Sequence, residues 1–413
     1  MRGRLVTSPS VAVFAMAERG HFARLKPLIA GLVERGVDTH VFTDALFRED
    51  VQRLGGRFVD LFAEHPLASI DGTSIPVPSR FVSFAGHCGE RMSTVAAALR
   101  PSLVIHDSFA VIGRVVATRL GLPRVNVCAG HNAAPDRMLA DLRVDPRVRI
   151  SDECHRGVEL LRERFGIEDA SPFSYVSSTS PDLNLYCEPP QFLPPESRGP
   201  FEPLRFFGSL APGDHLPGDT IAWAFETGPS RARSRIYVSF GTIVWRYYAP
   251  EALAAIRAIS EAFARHDDTS VLVSLGGVGD RSRADACAAP NVRIEYFVDQ
   301  WRVLQDASVY ITHQGLNSTH EAVYHRVPMV SYPFFWDQPG LASRCQALGL
   351  AVPLADGIRS PVTPEMAAEA VARIDAGRAT MQQRLAEARL WELQTIADRP
   401  AIIETIVRLA RGA

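Results

Sequence analysis

Thr312-His-Gln-Gly-Leu-Asn-Ser-Thr-His-Glu-Ala322 decides how this chain folds. The apolar run Val309-Tyr-Ile-Thr312 before it reads as a short buried strand, and Gly315 supplies a turn. Residues 317–326 then read as a helix, with Asn317 and Ser318 expected to cap its first turn. Strand, glycine turn and helix together form one unit of a parallel sheet. Such a unit delivers His313 to the carboxyl end of its strand, beside a helix start whose free N–H groups and dipole favour an anion. The dipole contributes only about 0.3–1 kcal/mol at an exposed site, so a bound diphosphate needs further donors. His313, Asn317 and Ser318 can provide them. Taken alone, His313 reads more readily as a structural histidine.

Working outward, the same alternation of apolar strand and helical run recurs twice. The first series holds Val11–Met16, Thr39–Thr43, Leu103–His106 and Arg124–Cys128 as strands. Leu25, Leu28, Ile29 and Leu32, then Ile112, Val115, Val116 and Leu120, recur between them at helical spacing. The second series runs through Ile236–Phe240, Ser270–Ser274, Val292–Tyr296, Val309–Thr312 and Met329–Tyr332, with helices at about 250–265, 317–326 and 338–348. Pro189 to Pro229 is rich in proline and glycine, has no sustained period and reads as a connector. The expectation is an α/β chain of two doubly wound, Rossmann-like parallel-sheet domains, residues 1–214 and 215–413, facing an interdomain cleft. Ligands of such sheets bind at the carboxyl ends of the strands.

The bulk properties exclude several classes. With 413 residues, 46% of them hydrophobic, 22% charged, and a formal net charge of -2, no nucleic-acid partner is called for. The six cysteines lie far apart without a CxxC, which suggests neither a zinc site nor a disulfide framework, and a reducing cytoplasm is expected. The run Val11 to Ala17 is short for a signal-peptide core, and no apolar stretch approaches the ~20 residues that span a bilayer, so no stable membrane insertion is expected. A homodimer is compatible with the sequence, which does not fix the oligomeric state.

Three further segments sit where strands end. Ser239-Phe-Gly-Thr-Ile243 lets the backbone approach an anion through Gly241, with Thr242 offering a hydroxyl. Met16-Ala-Glu-Arg-Gly-His-Phe22 places His21 in the loop after the first strand. An imidazole of unperturbed pKa about 6.5 suits removal of a proton from an acceptor hydroxyl. Asp107, ending the strand Leu103–His106, is the expected partner that fixes its tautomer. His106 is a neighbouring competitor, but strand alternation turns it to the other side. The last segment, Tyr296-Phe-Val-Asp-Gln-Trp301, follows a strand of the second series.

His313, Gly315, Asn317, Ser318, Glu321, Val327, Pro328, Pro333, Asp337 and Gln338 together resemble the donor signature of family 1 glycosyltransferases, which include plant secondary-product and bacterial antibiotic enzymes. The spacing over 26 residues is specific, and the resemblance extends to His21, Asp107 and Ser239–Thr242. It implies the GT-B fold, with the acceptor on the N-terminal domain, the nucleotide sugar on the C-terminal one, and a final helix at about 397–411 returning to the first domain. It further implies that His313, Asn317 and Ser318 hold the diphosphate. Glu321 would hold the ribose hydroxyls, and Asp337 and Gln338 the transferred sugar. Phe297, Val298 and Gln300 fall in the nucleobase segment. There Phe297 replaces the usual tryptophan and Asp299 the usual proline, so stacking keeps less area and the base is left as uracil or thymine. After His21, Ala23-Arg24 replaces the usual asparagine-proline pair. Phe81, Phe84, Phe109 and His131 are the candidate acceptor-lining residues, although aromatic side chains at such places are often ordinary core.

The activity implied is inverting transfer from a UDP- or TDP-linked sugar, a co-substrate and not a cofactor, to a hydroxyl of a small hydrophobic acceptor such as a polyketide or aromatic compound. No Asp-x-Asp motif or metal-ligand cluster is present, which agrees with a metal-free route. Three rivals remain. A nicotinamide-dependent dehydrogenase lacks its G-x-G-x-x-G after a strand. A nucleotide-sugar epimerase of GT-B architecture would turn over donor alone, and a non-catalytic nucleotide-sugar-binding partner protein would not need both His21 and Asp107.

Overall fold

A computed structural model describes residues 8–128, 130, 135–211 and 234–412. The chain divides into two compact units, Met1–Ala211 with Thr395–Ala413, and Pro212–Gln394.

The first unit is built on β1 (Ser10–Phe14), β2 (Asp38–Thr43), β3 (Arg57–Asp60), β4 (Leu103–Asp107), β5 (Arg124–Cys128), β6 (Leu183–Tyr186) and β7 (Leu204–Phe206). All pair in parallel, in the order β3-β2-β1-β4-β5-β6-β7. Every residue of β4, and all but the first of β1, β2 and β5, is buried, as expected of strands covered by helices on both faces. The order reverses between β1 and β4, which pair from Val11 with Leu103 to Phe14 with His106. That reversal is the switch point at which doubly wound sheets hold ligands.

The second unit repeats the plan with β8 (Ser234–Ser239), β9 (Thr269–Ser274), β10 (Val292–Glu295), β11 (Val309–Thr312), β12 (Met329–Ser331) and β13 (Ala351–Pro353), ordered β10-β9-β8-β11-β12-β13 and again parallel. Its switch point lies between β8 and β11, where Ser239 pairs with Thr312. The quoted stretch therefore begins at the ligand-binding edge of its own sheet.

Two expectations are corrected. Part of the stretch taken as a connector belongs to the first unit, because Leu204–Phe206 pairs with β6 as the last strand of the sheet. Three residues are too few to show an alternating pattern. The remainder of that stretch, from Pro212, lies outside the described residues. The closing helix is also longer than 397–411, running without interruption over Pro364–Ala410. Its buried stripe is aliphatic at both ends but carries Glu392, Thr395 and Arg399 in the middle, so hydrophobic periodicity fades there. Each charged member has a partner: Glu392 meets His320 at 2.5 Å, and Arg399 Nε donates to the Phe207 carbonyl at 2.7 Å. The end of the helix packs on the first unit through Ile403, which fills the space left by the missing Cβ of Gly31, and through Glu404, which accepts from Arg35 at 2.6 Å.

Candidate functional site

In the first unit, the loop after β1 leads into the helix Arg19–Glu34, whose first turn carries His21, while Asp107 is the last residue of β4. These are the two sides of the switch point. The side chains meet: His21 Nδ1 lies 2.9 Å and 3.1 Å from the Asp107 carboxylate oxygens. Asp107 is fully buried, whereas the His21 side chain keeps 17% of its surface. Burial works to raise the Asp107 pKa, yet the attraction and hydrogen bond of His21, the Phe109 N–H and the charge of Arg24 prevail and hold it below its ordinary value. The carboxylate is therefore ionised at neutral pH and can only accept. His21 Nδ1 must carry the proton, which leaves Nε2 with the lone pair of a base.

Phe109 locks this pair from two directions. Its backbone N–H donates to Asp107 Oδ1 at 2.8 Å, and its ring lies 4.4 Å from the imidazole, centroid to centroid. Tyr175 backs that ring at 5.1 Å. His106 is buried against Gly113, which has no Cβ to obstruct it, and burial pushes its pKa down to about 3. It is a neutral core residue, as strand alternation indicates. Phe81 and Phe84 are both buried and pack edge-on against Phe62, at 6.1 and 5.1 Å. Their helix, Pro78–Ala98, turns that apolar face inward. His131 lies outside the described residues.

In the second unit the phosphate candidates converge on one ring. His313 follows β11, and Gly241 follows β8 with φ +70°. A Cβ on Gly241 would come within 2.7 Å of His313 Nε2, and one on Gly315 would overlap the same nitrogen. Glycine at both places is thus what lets the imidazole sit between two backbone turns. Burial lowers the His313 pKa to about 4, opposed by a hydrogen bond with the Ser239 backbone, so at neutral pH the ring offers an anion an N–H and not a charge. Thr242 is half-buried beside it. Gly276 and Gly277, also at positive φ, close the edge after β9, Gly276 lying directly on the Gly241 carbonyl. Sequence reading passed over them, although Gly-Gly directly beyond a strand was the available signal.

The helix that follows, Leu316–His325, begins one residue earlier than expected, with Gly315 as its cap. Asn317 and Ser318 do not cap it; they occupy its first turn, and no side chain caps that end. The Ser318 hydroxyl instead accepts from Gln300 Nε2 at 3.1 Å, and the same amide nitrogen donates to Glu321 Oε2 at 2.7 Å. Burial, aided by Asp299, pushes Glu321 up to about 7, while the Gln300 bond works against the shift. Gln314, within the motif but given no role, is a buried strut at φ +63° that receives Ser331 Oγ at 2.8 Å and donates to Thr319 Oγ1 at 3.1 Å.

The raised Glu321 carries a pH consequence. An unfolded glutamate ionises near 4.3, so the folded state holds the extra proton between there and about 7. Glu321 costs the fold nothing below that window and weakens it as pH rises through about 7. We expect Glu321→Gln to equal the wild type in denaturant stability near pH 4.5 and to exceed it above pH 7.5. A constant difference across that range would show that Glu321 titrates normally.

Phe297 is 65% exposed beyond β10 and lies against Gly277, a flat apolar face open to solvent. Val298 beside it is buried. Asp299, the departure from proline, caps the helix Gln300–Asp306 by accepting from the Arg302 N–H. Asp337 is half-buried at the start of Gln338–Ala347, and its side chain does not cap that helix. Gln338 is buried, and its carbonyl oxygen accepts from the Phe334 and Phe335 N–H groups at 2.9 and 3.2 Å, which fixes the loop after β12. Any contact of Gln338 with a sugar thus falls to its amide nitrogen. Among the described residues there is no group of three or more His, Cys, Asp or Glu side chains placed to hold a metal, and no helix is long and apolar enough to cross a membrane. All six cysteines are free and buried.

Two switch-point sheets, one ending in a His–Asp pair and the other in a glycine-lined imidazole beside a carboxylate, make up the GT-B fold. Residues 198–374 match the family model described as UDP-glucoronosyl and UDP-glucosyl transferase. The chain is 25% identical over 266 residues to zeaxanthin glucosyltransferase of Pantoea ananas, an alignment covering 58% of this chain and 57% of that enzyme, so under two thirds of that relative's length is matched. It is likewise 25% identical over 362 residues to oleandomycin glycosyltransferase of Streptomyces antibioticus, covering 84% and 80%. The solved structure of the kitacinnamycin glycotransferase superposes with a TM-score of 0.76 at 22% identity, over 98% of this chain and 100% of that one. The family model covers under half of the chain, and structural likeness carries the GT-B fold.

Proposed function

We propose that the chain transfers a sugar from a UDP- or TDP-linked donor to a hydroxyl of a small hydrophobic acceptor, with inversion and without a metal ion. The observation that carries this reading is the His21–Asp107 pair, in which an ionised, buried carboxylate holds Nδ1–H and leaves Nε2 basic. In the proposed step His21 Nε2 takes the acceptor proton, and the oxygen forms a bond to the anomeric carbon. The bond to the diphosphate breaks on the opposite face, so configuration inverts.

The departing diphosphate gathers negative charge. His313, Thr242 and the uncapped helix start at Leu316 are the donors assigned to it, and one preorganised donor of this kind contributes roughly 3 kcal/mol. Their N–H and O–H groups take the part a divalent cation plays in other transferases. Glu321 is assigned to the ribose hydroxyls, Phe297 to the face of the pyrimidine, and Asp337 with the Gln338 amide to the sugar hydroxyls. The acceptor class, a polyketide or aromatic alcohol, is supported by the oleandomycin glycosyltransferase likeness and by the aromatic lining of the dyad at Phe109.

A thermal-shift panel of UDP- and TDP-sugars, followed by turnover with hydrophobic alcohols and phenols, tests the reading. We expect stabilisation by at least one nucleotide sugar and a product whose anomeric proton coupling shows inversion. A retained configuration, or turnover of donor with no acceptor added, would overturn it.

A further inference from the structure

Two buried tyrosines in the second unit stand side by side in its sheet. Tyr237 on β8 and Tyr310 on β11 are paired in register, and their rings stack at 4.9 Å and 17°. Both are essentially inaccessible, so each hydroxyl needs a partner within the protein. Both reach Gln300: Tyr310 donates to its Oε1 at 2.8 Å and Tyr237 to the same oxygen at 3.4 Å, while the Ser239 hydroxyl also bonds to both, with Ser274 at Tyr237 and Ser318 and Thr312 at Tyr310. Burial raises both phenols above their ordinary pKa, so they remain protonated donors.

Donors on one side of a primary amide dictate its orientation. With its oxygen claimed by two hydroxyls, Gln300 must turn its NH₂ to the other side, where it meets Ser318 Oγ at 3.1 Å and Glu321 Oε2 at 2.7 Å. A flipped amide would set its oxygen against the carboxylate and its NH₂ against two protons. The network thus runs from the sheet interior through Gln300 to the two side chains assigned to the donor.

We propose that Tyr310, seconded by Tyr237, is a positioning residue for nucleotide-sugar binding, acting through Gln300 to fix the Glu321 carboxylate and Ser318 hydroxyl. This rests on the reading of Glu321 and Ser318 as donor-binding groups. Gln300 takes only one carboxylate oxygen and leaves the other unclaimed by its amide.

Calorimetric titration of the full chain with UDP and with TDP, together with donor KM and kcat, tests the proposal. Loss of one hydrogen bond predicts that Tyr310→Phe weakens nucleoside diphosphate binding and raises the donor KM roughly fivefold. The variant's kcat should stay within about twofold. In a Glu321→Gln background the same change should add less than about twofold, because the residue it acts through is gone. Should Tyr310→Phe fail to fold, Tyr237→Phe carries the test, with a smaller loss expected from its longer bond. Unchanged affinity in the variant, or a full additive loss in the Glu321→Gln background, would assign the tyrosines to the core and overturn the proposal while the donor reading stands. A wild-type protein that binds neither UDP nor TDP would overturn both.

Discussion

His21→Ala lowers the rate of sugar transfer by about 10²–10⁴, the usual contribution of a positioned general base, while UDP and TDP affinity stays within about twofold of wild type. The reason for the split is spatial. His21 belongs to the first unit, whereas every residue assigned to the nucleotide belongs to the second. A neutral hydroxyl is a poor nucleophile until its proton has somewhere to go, and His21 Nε2 is the basic atom that the dyad geometry leaves available. Small loss of fold stability is expected, because the ring is partly exposed and its one polar bond is to Asp107. Steady-state turnover alongside calorimetry checks this. Equal turnover, or a parallel loss of nucleotide binding, would remove His21 from the proton-transfer role.

Asp107→Asn should cost nearly as much, about 10²–10³ in kcat, because the side chain keeps its shape and loses its charge. An asparagine offers one accepting oxygen where Asp107 now accepts from both His21 and the Phe109 N–H. One of those donors then meets an NH₂, and the imidazolium formed during transfer has no anion beside it. Residues that act as a unit are not additive, so the double variant His21→Ala with Asp107→Asn should be little slower than either single one.

The substitution also changes stability with a definite sign. The folded Asp107 pKa lies below its unfolded value, so the charge stabilises the fold above about pH 4, and that contribution is lost as pH falls through the folded pKa. Asp107→Asn is therefore destabilised at pH 7, and the gap to wild type narrows in acid. Additive rate losses, or a stability gap that widens in acid, would reject the ionised-carboxylate assignment.

Much of this protein is written locally. Strand β11 and the helix after it are fixed by neighbours in sequence: an apolar run, a glycine, and helix formers at the right period. The same holds for β5, whose limits Arg124 and Cys128 match the apolar run that announces it. Other short elements escape a local reading. The residues 57–60, 183–186, 204–206 and 351–353 are strands only because a sheet edge is present to pair with them.

The positions of His21, Asp107 and His313 at or near strand ends, and the two-sheet architecture, are legible in the sequence because strand ends are local; Glu321 stands further on, inside the helix after β11. The pairing of His21 with Asp107 across 86 residues, the fit of His313 between Gly241 and Gly315, and the tyrosine pair beneath Gln300 were decided by the tertiary structure. So was the fate of Phe81, Phe84 and the capping residues Asn317 and Ser318. Local sequence specifies where the chain turns, whereas burial and hydrogen-bond partners depend on which strands the sheet makes neighbours, and that is settled only when the whole core closes.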